Sequence, residues 1–328
     1  MPANLTPEYR AAEEEYRKAK DPAEKLACLE KMLSVIPKHK GTDKMQGDLK
    51  RKISRLKDSL QKKSGKKGFS VKVEREGAAQ VVLVGAANSG KSALVEATTN
   101  AKTEVADYPI STRSPIPGMF PYENLQFQLV DLPPVNRDYM EPWVTDIIRS
   151  ADCALWMIDA SDQQIEKQVS EVTELLENKK IHLVGKDAPA GKGSDPIRNI
   201  RSIVVATKMD LEKSAAGLAW LQKRFEPGIQ VLGLSAMGDS DFTQLGRALF
   251  DLNRIIRVYS KTPGKNADKS TPHILHRGDC LMDFARVVHK DFAEKLRYAK
   301  AWGEGMFDGQ RIQRDQELSD GFVVELHM

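Results

Sequence analysis

The chain contains a glycine-bearing stretch, residues 85–92 (GAANSGKS), between an apolar run at 81–84 and a helix-favouring segment at 93–95. A strand, a glycine loop and a helix in this order can cradle a phosphate chain with main-chain N–H groups. Lys91 can reach the terminal phosphates, and the Ser92 hydroxyl can bind Mg²⁺. The stretch therefore predicts a P-loop, whose candidate nucleotide contacts are Gly85, Ala86, Ala87, Asn88, Ser89, Gly90, Lys91, Ser92 and Ala93.

From about residue 70 to 260, short apolar runs alternate with segments of helical periodicity. This pattern predicts a parallel β-sheet with helices packed against it, an α/β fold. The polar, glycine-rich stretch 185–194 is typical of a surface loop. The predicted strands are 81–84, 127–130, 154–158, 203–206 and 231–234, with helices at 168–176 and 242–256 and, near the C-terminus, a helix at 280–296 and a strand at 321–326.

The N-terminal region, residues 1–68, has helical patterning and a concentrated positive charge. Between Lys38 and Lys67 there are twelve Lys or Arg and three Asp, a net charge of +9 against +4 for the whole chain. A positive segment of this kind favours RNA phosphates or another anion as its partner. The alternative is a solvated basic helix face. The candidate contacts are Lys38, Lys40, Arg51, Arg55 and the lysines within 62–67.

Guanine recognition is predicted by Thr207, Lys208 and Asp210, which follow the strand at 203–206. A carboxylate at Asp210 can accept hydrogen bonds from both N1–H and the exocyclic amine of guanine, a pair that adenine does not offer. The aliphatic stem of Lys208 can lie across the base. Leaving such a carboxylate unpaired over adenine costs several kcal/mol. At the end of the next strand, Ser235 and Ala236 fit a second base-contacting loop, with the Ala236 N–H directed at guanine O6.

Two further residues are predicted to complete a magnesium and γ-phosphate site. Asp131 follows the strand at 127–130 and can hold Mg²⁺ through a water. Thr112 is the candidate switch threonine that closes on Mg²⁺ when the γ-phosphate is present, with Ser111 as a substitute. The alternative for Thr112 is an ordinary turn residue. We thus expect Ser92, Thr112 and Asp131 as metal ligands and Lys91, Thr112 and Asp131 as the residues that stabilise phosphoryl transfer.

These elements resemble the Obg superfamily of GTPases, and most closely the developmentally regulated GTP-binding (DRG) proteins and their prokaryotic relatives. The stretch 36–42 (IPKHKGT) belongs to the resemblance, as do 277–280 (RGDC) and 298–303 (YAKAWG), which are similar to a TGS domain. That resemblance implies a C-terminal β-grasp (TGS) domain associated with RNA and ribosome partners. We therefore expect a helical basic region at 1–68, a P-loop GTPase domain at 69–262 and a TGS domain at 268–328. The insertion after Asp159 is too short for the extra domain of DRG proteins.

The chain departs from this family at two positions. Family members have DxPG after the metal strand, whereas residues 131–134 are DLPP, so Pro134 stands where a glycine N–H meets the γ-phosphate. Val135 follows, where many GTPases place a water-positioning glutamine. Hydrolysis would then depend on another group. Asn88 matches an asparagine that holds K⁺ beside the phosphates in some related GTPases, or it stabilises the loop by local hydrogen bonds. Arg113 is a weaker candidate for the group that stabilises the charge developing during hydrolysis.

The sequence thus favours a slow GTPase, stimulated by potassium or a partner, that acts on the ribosome or RNA as a switch. One alternative is a GTP-binding RNA or ribosome scaffold with little or no hydrolysis. Another is a C-terminal unit that binds a small regulatory ligand. The aromatic candidates for base stacking there are Phe284, Tyr298, Trp302 and Phe307, although at their spacing they equally suit a core. Sparse cysteines and the absence of a signal-peptide pattern or apolar span favour the cytoplasm, with no membrane and no DNA partner.

Overall fold

The computed structural model describes residues 16, 22–35, 46, 49, 52, 73–99, 115–135, 140–189, 196–237 and 241–328. The chain forms two compact units, residues 1–70 and 71–328. In the first unit helix α1, Pro22–Val35, begins at a proline, which suits the first turn of a helix because the missing N–H has no partner there. Leu29 and Met32 of α1 are buried. Most of the basic segment 38–67 lies outside the described residues.

The second unit begins with a mainly parallel sheet in the strand order β2-β3-β1-β4-β6-β5, with β7 also paired to β6. Only the β2–β3 pair is antiparallel among these described strands. The sheet is a P-loop α/β fold as the sequence predicts. Its strands are β1 Gln80–Gly85, β2 Ile116–Tyr122, β3 Leu125–Asp131, β4 Cys153–Asp159, β5 Ile181–Val184, β6 Arg198–Thr207 and β7 Val231–Gly233, and its helices are α2 Lys91–Thr98, α3 Pro142–Ser150, α4 Ile165–Asn178, α5 Ser214–Phe225 and α6 Thr243–Leu252.

A hydrophobic core lies on each face of this sheet, as expected when helices cover both sides. Alternate residues of β1 point to opposite cores, so Val82 and Val84 pack with α3 and α4 while Val81 and Leu83 pack with α2 and α6. All six residues of β1 are buried. The carboxyl ends of β1, β3, β4 and β6 therefore lie at one rigid edge, where loops can position functional groups.

The C-terminal part of the second unit is a separate sheet in the order β11-β10-β12-β8-β9, with α7 packed on one side. Its core contains Leu281 and Phe284 of α7. The sequence predicts one helix over 280–296, but the extended backbone of His289 (φ −170°) divides it into two. The elements are β8 Ile255–Ser260, β9 His273–His276, α7 Leu281–Val288, α8 Lys290–Lys295, β10 Tyr298–Trp302, β11 Gln310–Ile312 and β12 Val323–His327.

The division between the two sheets lies earlier in the chain than the sequence suggests. The helix expected over 242–256 ends at Leu252, and Ile255 begins β8, which pairs with β9 and β12 of the C-terminal sheet. The end predicted for the GTPase domain at 262 and the start predicted for the TGS domain at 268 both lie after β8, in the connection between β8 and β9. Arg257 of β8 spans the junction, because its guanidinium pairs with Glu123 of the β2–β3 turn and with Asp320.

Within the described ranges, no helix is both long and apolar enough to cross a membrane.

Candidate nucleotide-binding site

The glycine loop joins the end of β1 to the first residue of α2. A Cβ on Gly85 would lie 2.4 Å from the Met157 carbonyl oxygen, so this position accepts only glycine next to β4. Asn88 and Gly90 have left-handed backbones, with φ of 59° and 84°. Both conformations turn the loop tightly enough to bring successive main-chain N–H groups to one side, as anion cradles require. Ala87, Asn88, Ser92 and Ala93 are exposed along its rim.

Lys91 is folded back into the loop rather than extended into solvent. Its side chain is buried, and the Nζ atom donates to the carbonyl oxygens of Gly85 at 3.1 Å and Ala86 at 2.7 Å. The Ser89 hydroxyl is 3.4 Å away. The ammonium therefore occupies the concave side of the loop, where it can exchange a carbonyl for a phosphate oxygen with little movement.

Ser92 and Asp131 come together, although they are far apart in sequence. The Ser92 hydroxyl donates to Asp131 Oδ2 at 2.5 Å. The other oxygen, Oδ1, is buried and has no hydrogen-bond partner among the described residues. Burial is the largest influence on this carboxyl, and it raises the pKa of Asp131 above its ordinary value. A buried, unsatisfied carboxylate oxygen beside a hydroxyl is the hard-oxygen donor set that suits Mg²⁺.

The segment after Asp131 is anchored to the glycine loop. Pro133 and Pro134 have no N–H to donate. The next N–H, that of Val135, donates to the Gly85 carbonyl oxygen at 3.0 Å. The Val135 side chain is buried in the core that contains α3. Pro133 and Pro134 therefore offer no main-chain N–H to a bound phosphate, and the N–H of Val135 is already bonded.

Thr207 joins the end of β6 to the glycine loop, a role that the sequence did not reveal. Its hydroxyl lies 3.1 Å from both the Ser89 and the Ile158 carbonyl oxygens. Thr207 is buried, and a Cβ on Gly90 would lie 3.4 Å from its side chain. This contact fixes the spacing between the predicted base-binding and phosphate-binding segments.

The Lys208 ammonium pairs with Asp159, a residue absent from the sequence-based site. Lys208 has a left-handed backbone (φ 59°), and its Nζ lies 2.5 Å from Asp159 Oδ2. Burial alone would raise the pKa of Asp159, but the hydrogen bonds from Lys208 and Ser161 lower it below its ordinary value. The ion pair holds the Lys208 stem in place. Asp159 ends β4 as Asp131 ends β3, and that parallel is the sequence signal that could have identified it.

Asp210 and Ser235 meet across two loops that follow adjacent strands. The Ser235 hydroxyl donates to Asp210 Oδ1 at 2.7 Å and accepts from the Met237 N–H at 3.1 Å. The two loops are also joined by a Met209 N–H bond to the Leu234 carbonyl. Asp210 is exposed and Ala236 half-buried, so this carboxylate remains accessible to a ligand. The structure therefore brings Thr207, Lys208, Asp210, Ser235 and Ala236 to the same sheet edge as the P-loop.

Some predicted residues lie elsewhere or outside the described ranges. Thr112, Ser111 and Arg113 are not among the described residues, and neither are Lys38, Lys40, Arg51, Arg55 and the lysines of 62–67. Of the aromatic candidates, Phe284 is fully buried in the C-terminal core, so it is not a base-stacking surface. Tyr298 and Trp302 are half-buried, and Phe307 is 85% exposed.

Two family matches cover separate parts of the chain. Residues 80–186 match the family described as "50S ribosome-binding GTPase", and residues 256–328 match the TGS domain. The first contains the glycine loop, Asp131 and Asp159. The second match contains every strand of the C-terminal sheet, with only Ile255 of β8 left out. Its start at residue 256 agrees with the position at which the C-terminal sheet begins.

Relatives match nearly the whole chain. An uncharacterized GTP-binding protein of Methanocaldococcus jannaschii is 26% identical, with 92% of each chain covered. The developmentally-regulated GTP-binding protein 2 homolog of Dictyostelium discoideum is 25% identical and the ribosome-interacting GTPase 1 of Saccharomyces cerevisiae 24%, each over 92% of this chain and 98% of the relative. The YchF GTPase of Schizosaccharomyces pombe shares the fold, with a TM-score of 0.53 and 10% identity over 77% of this chain and 99% of that chain.

Proposed function

We propose that this chain, which matches the 50S ribosome-binding GTPase family over residues 80–186 and the TGS domain over residues 256–328, is a slow GTPase of the Obg superfamily that acts on the ribosome or its RNA as a nucleotide-dependent switch. The observation that carries the proposal is the pairing of Ser92 with Asp131 at 2.5 Å, with the buried Oδ1 of Asp131 left unsatisfied. These groups would hold Mg²⁺, with Thr112 as a further ligand. Bound there, Mg²⁺ would neutralise charge on the β- and γ-phosphates.

The chain's own residues provide positioning and electrostatic stabilisation in this reaction. The main-chain N–H groups of Gly85–Ser92 would hold the phosphate chain. Lys91, now bound to the carbonyls of Gly85 and Ala86, would transfer its hydrogen bonds to phosphate oxygens and stabilise the charge that develops on them. Because the lysine is already buried at the loop, little side-chain entropy is lost in the transfer.

Guanine selectivity would come from Asp210. Its Oδ1 already accepts a hydrogen bond from Ser235, which orients the carboxylate, while its exposure leaves room for the base. Lys208, held by Asp159 at 2.5 Å, would cover one face of the purine. The Ala236 N–H is the proposed donor to guanine O6.

The residues after Asp131 support the proposed slow rate. The Val135 side chain has no polar group that could orient water, and it is buried in the hydrophobic core. A cation or a partner must therefore supply the missing stabilisation. Asn88, exposed on the rim of the loop with φ 59°, is the proposed potassium ligand.

A second candidate is a GTP-binding scaffold with little or no hydrolysis. The hydrogen bond from the Val135 N–H to the Gly85 carbonyl favours this candidate. It ties the segment after Asp131 to the glycine loop by a contact within the protein, so the position of the segment does not depend on a γ-phosphate. A protein built in this way would bind GTP and GDP alike and respond weakly to the γ-phosphate.

The proposed partner is the ribosome or RNA, contacted through the basic 38–67 segment and the TGS domain. The name of the Saccharomyces cerevisiae relative, ribosome-interacting GTPase 1, supports this assignment. The family description of residues 80–186 supports it as well. The cysteines of the described residues, Cys28, Cys153 and Cys280, are all free thiols, which suits the reducing cytoplasm that we propose as the location.

Phosphate release from GTP tests the hydrolysis step, measured with K⁺ or Na⁺ and with or without ribosomes. The proposal predicts slow basal release that K⁺ or ribosomes increase, and loss of that release in Lys91→Ala. If the unmodified chain released phosphate no faster than Lys91→Ala under every condition, only the scaffold function would remain. Co-sedimentation with ribosomes that is equal for GDP, a GTP analogue and no nucleotide would remove the switch.

A further inference from the structure

The C-terminal sheet has one face packed against the hydrophobic core and a second face that carries aromatic and charged side chains. Along β10 the residues alternate, so that Ala299 and Ala301 are buried in the core while Tyr298, Lys300 and Trp302 point away from it. We call this second side the open face. It comprises Tyr298, Lys300 and Trp302 of β10, Arg311 of β11, Glu325 and His327 of β12, and Lys261, which follows β8. The described helix α7 packs on the opposite side.

Planar groups are stacked on the open face. The rings of Tyr298 and His327, which are directly opposite in the β10–β12 register, lie 4.2 Å apart and 11° from parallel. The Arg311 guanidinium lies over the Tyr298 ring at 4.8 Å, and the Lys261 ammonium lies over the Trp302 ring at 3.9 Å. Aromatic rings and guanidinium planes of this kind are the surfaces on which unpaired bases stack.

The charge of the open face is positive. Its single carboxylate, Glu325, is only 5% exposed and is paired with Lys261 at 3.2 Å and with His327 at 2.7 Å. Lys300 and Arg311 are opposite one another in the β10–β11 register and are not needed for that pairing. On α8 the positive and negative charges cancel, since this helix carries Lys290, Asp291, Glu294 and Lys295. Cations are therefore concentrated beside Tyr298 and Trp302, whereas the β10–β11 hairpin carries two exposed carboxylates, Glu304 and Asp308.

An exposed aromatic residue extends this surface at the β10–β11 hairpin. Phe307 is 85% exposed, and its main-chain N–H and carbonyl both bond to Gln310, which fixes the turn. The hairpin ends against the open face, because a Cβ on Gly309 would lie 3.4 Å from the Trp302 ring. Phe307 therefore places one solvent-exposed aromatic ring at the edge of the open face.

We propose that the open face binds a single-stranded segment of RNA, with unpaired bases on Trp302, the Tyr298–His327–Arg311 group and Phe307, and with phosphates on Lys300 and Arg311. This proposal rests on the proposed function, since it names the surface through which the TGS domain would contact RNA. Stacking supplies tolerance for any base, and the cations supply a salt-dependent attraction to the backbone. A duplex would bind less well because its bases are already stacked.

The test uses the full chain and a short fluorescein-labelled oligouridylate, with fluorescence anisotropy measured over a salt series. Lys300→Ala/Arg311→Ala should bind more weakly, with a salt slope lower by about 1.4, while the matched control Lys290→Ala/Lys295→Ala should behave like the unmodified chain. Trp302→Leu should weaken binding about 5- to 150-fold, and Trp302→Phe should restore most of it. Thermal midpoints and GTP affinities check that each variant is folded.

The outcomes separate this proposal from the proposed function. If both double variants bind the oligonucleotide equally well, RNA binding lies in another region such as the basic segment, and the open face is not its site. If Trp302→Leu loses ribosome co-sedimentation but the unmodified chain does not bind single-stranded RNA, the face contacts a protein and the RNA assignment is wrong. If the unmodified chain binds the oligonucleotide through this face but never sediments with ribosomes, the ribosomal function fails and the RNA site stands.

Discussion

Replacing Pro134 by glycine is expected to make the protein favour GTP over GDP. In the structure Pro133 and Pro134 remove two consecutive N–H donors, and the next one, from Val135, is bound to Gly85 at 3.0 Å. Neither proline can therefore donate a main-chain hydrogen bond to a γ-phosphate, and the Val135 N–H is already bonded. A glycine at 134 adds one N–H at the position where related GTPases have it, next to the glycine loop.

The size of the effect follows from one hydrogen bond to a charged group. Such a bond contributes about 1.5–3 kcal/mol, which corresponds to an affinity change of about 10- to 150-fold. Glycine also makes the unfolded chain more flexible, at a cost of about 0.4–1 kcal/mol. That cost lowers the stability of the protein for both nucleotides equally, so it cancels in the ratio of the two dissociation constants.

The assay is a calorimetric titration of Pro134→Gly with GDP and with a non-hydrolysable GTP analogue in the presence of Mg²⁺. The ratio of the two dissociation constants should shift toward the GTP analogue by about 10-fold or more. Pro133→Gly is the matched control, since it relaxes the same segment but adds its N–H one residue earlier. A ratio that stays within about twofold of the unmodified chain, or an equal shift in both variants, would show that Pro134 does not limit γ-phosphate sensing.

Three other substitutions test separate parts of the structure. Asp131→Asn should weaken Mg²⁺-dependent binding yet stabilise the nucleotide-free protein by about 1 kcal/mol at neutral pH, because it removes a buried charge with one unsatisfied oxygen. Thermal unfolding measures this stabilisation, which should decrease as the pH falls through the raised pKa of Asp131. A stabilisation that increases as the pH falls would contradict the burial argument. Asp210→Asn should weaken GTP binding about 10- to 150-fold in calorimetric titrations, since an amide N–H would face the guanine N1–H; unchanged affinity would place base recognition elsewhere. Arg257→Ala should lower the free energy of unfolding in urea by about 1–3 kcal/mol by leaving Glu123 and Asp320 unpaired, and no loss would mean that the junction is not held by these pairs.

Local patterns in the sequence were sufficient to predict the P-loop α/β fold and the position of the glycine loop within it. The glycine loop, the strand before it and the helix after it are contiguous, so their structure depends on neighbouring residues. Parallel strands also place their carboxyl ends at one edge, which is why the sequence predicts that Asp131 and Asp210 lie at the same edge of the sheet.

Other features depend on contacts between distant residues and were missed for that reason. Strand β2 contains Pro117, Gly118 and Pro121, which disfavour a strand in isolation, and it is formed as an edge strand by antiparallel pairing with β3. The helical periodicity of α6 continues into Ile255 and Ile256, so only pairing with the C-terminal sheet shows where β8 begins. A main-chain bond such as that from Val135 to Gly85 leaves no side-chain pattern at all.

A calorimetric comparison of GDP, GTP, ADP and ATP with purified protein and Mg²⁺ tests the nucleotide site most directly. The geometry of Lys91, Ser92, Asp131 and Asp210 predicts saturable heat for both guanine nucleotides and none for the adenine nucleotides at the same concentrations. Equal heats for guanine and adenine nucleotides would contradict the role of Asp210. No heat for any of the four would contradict the site itself.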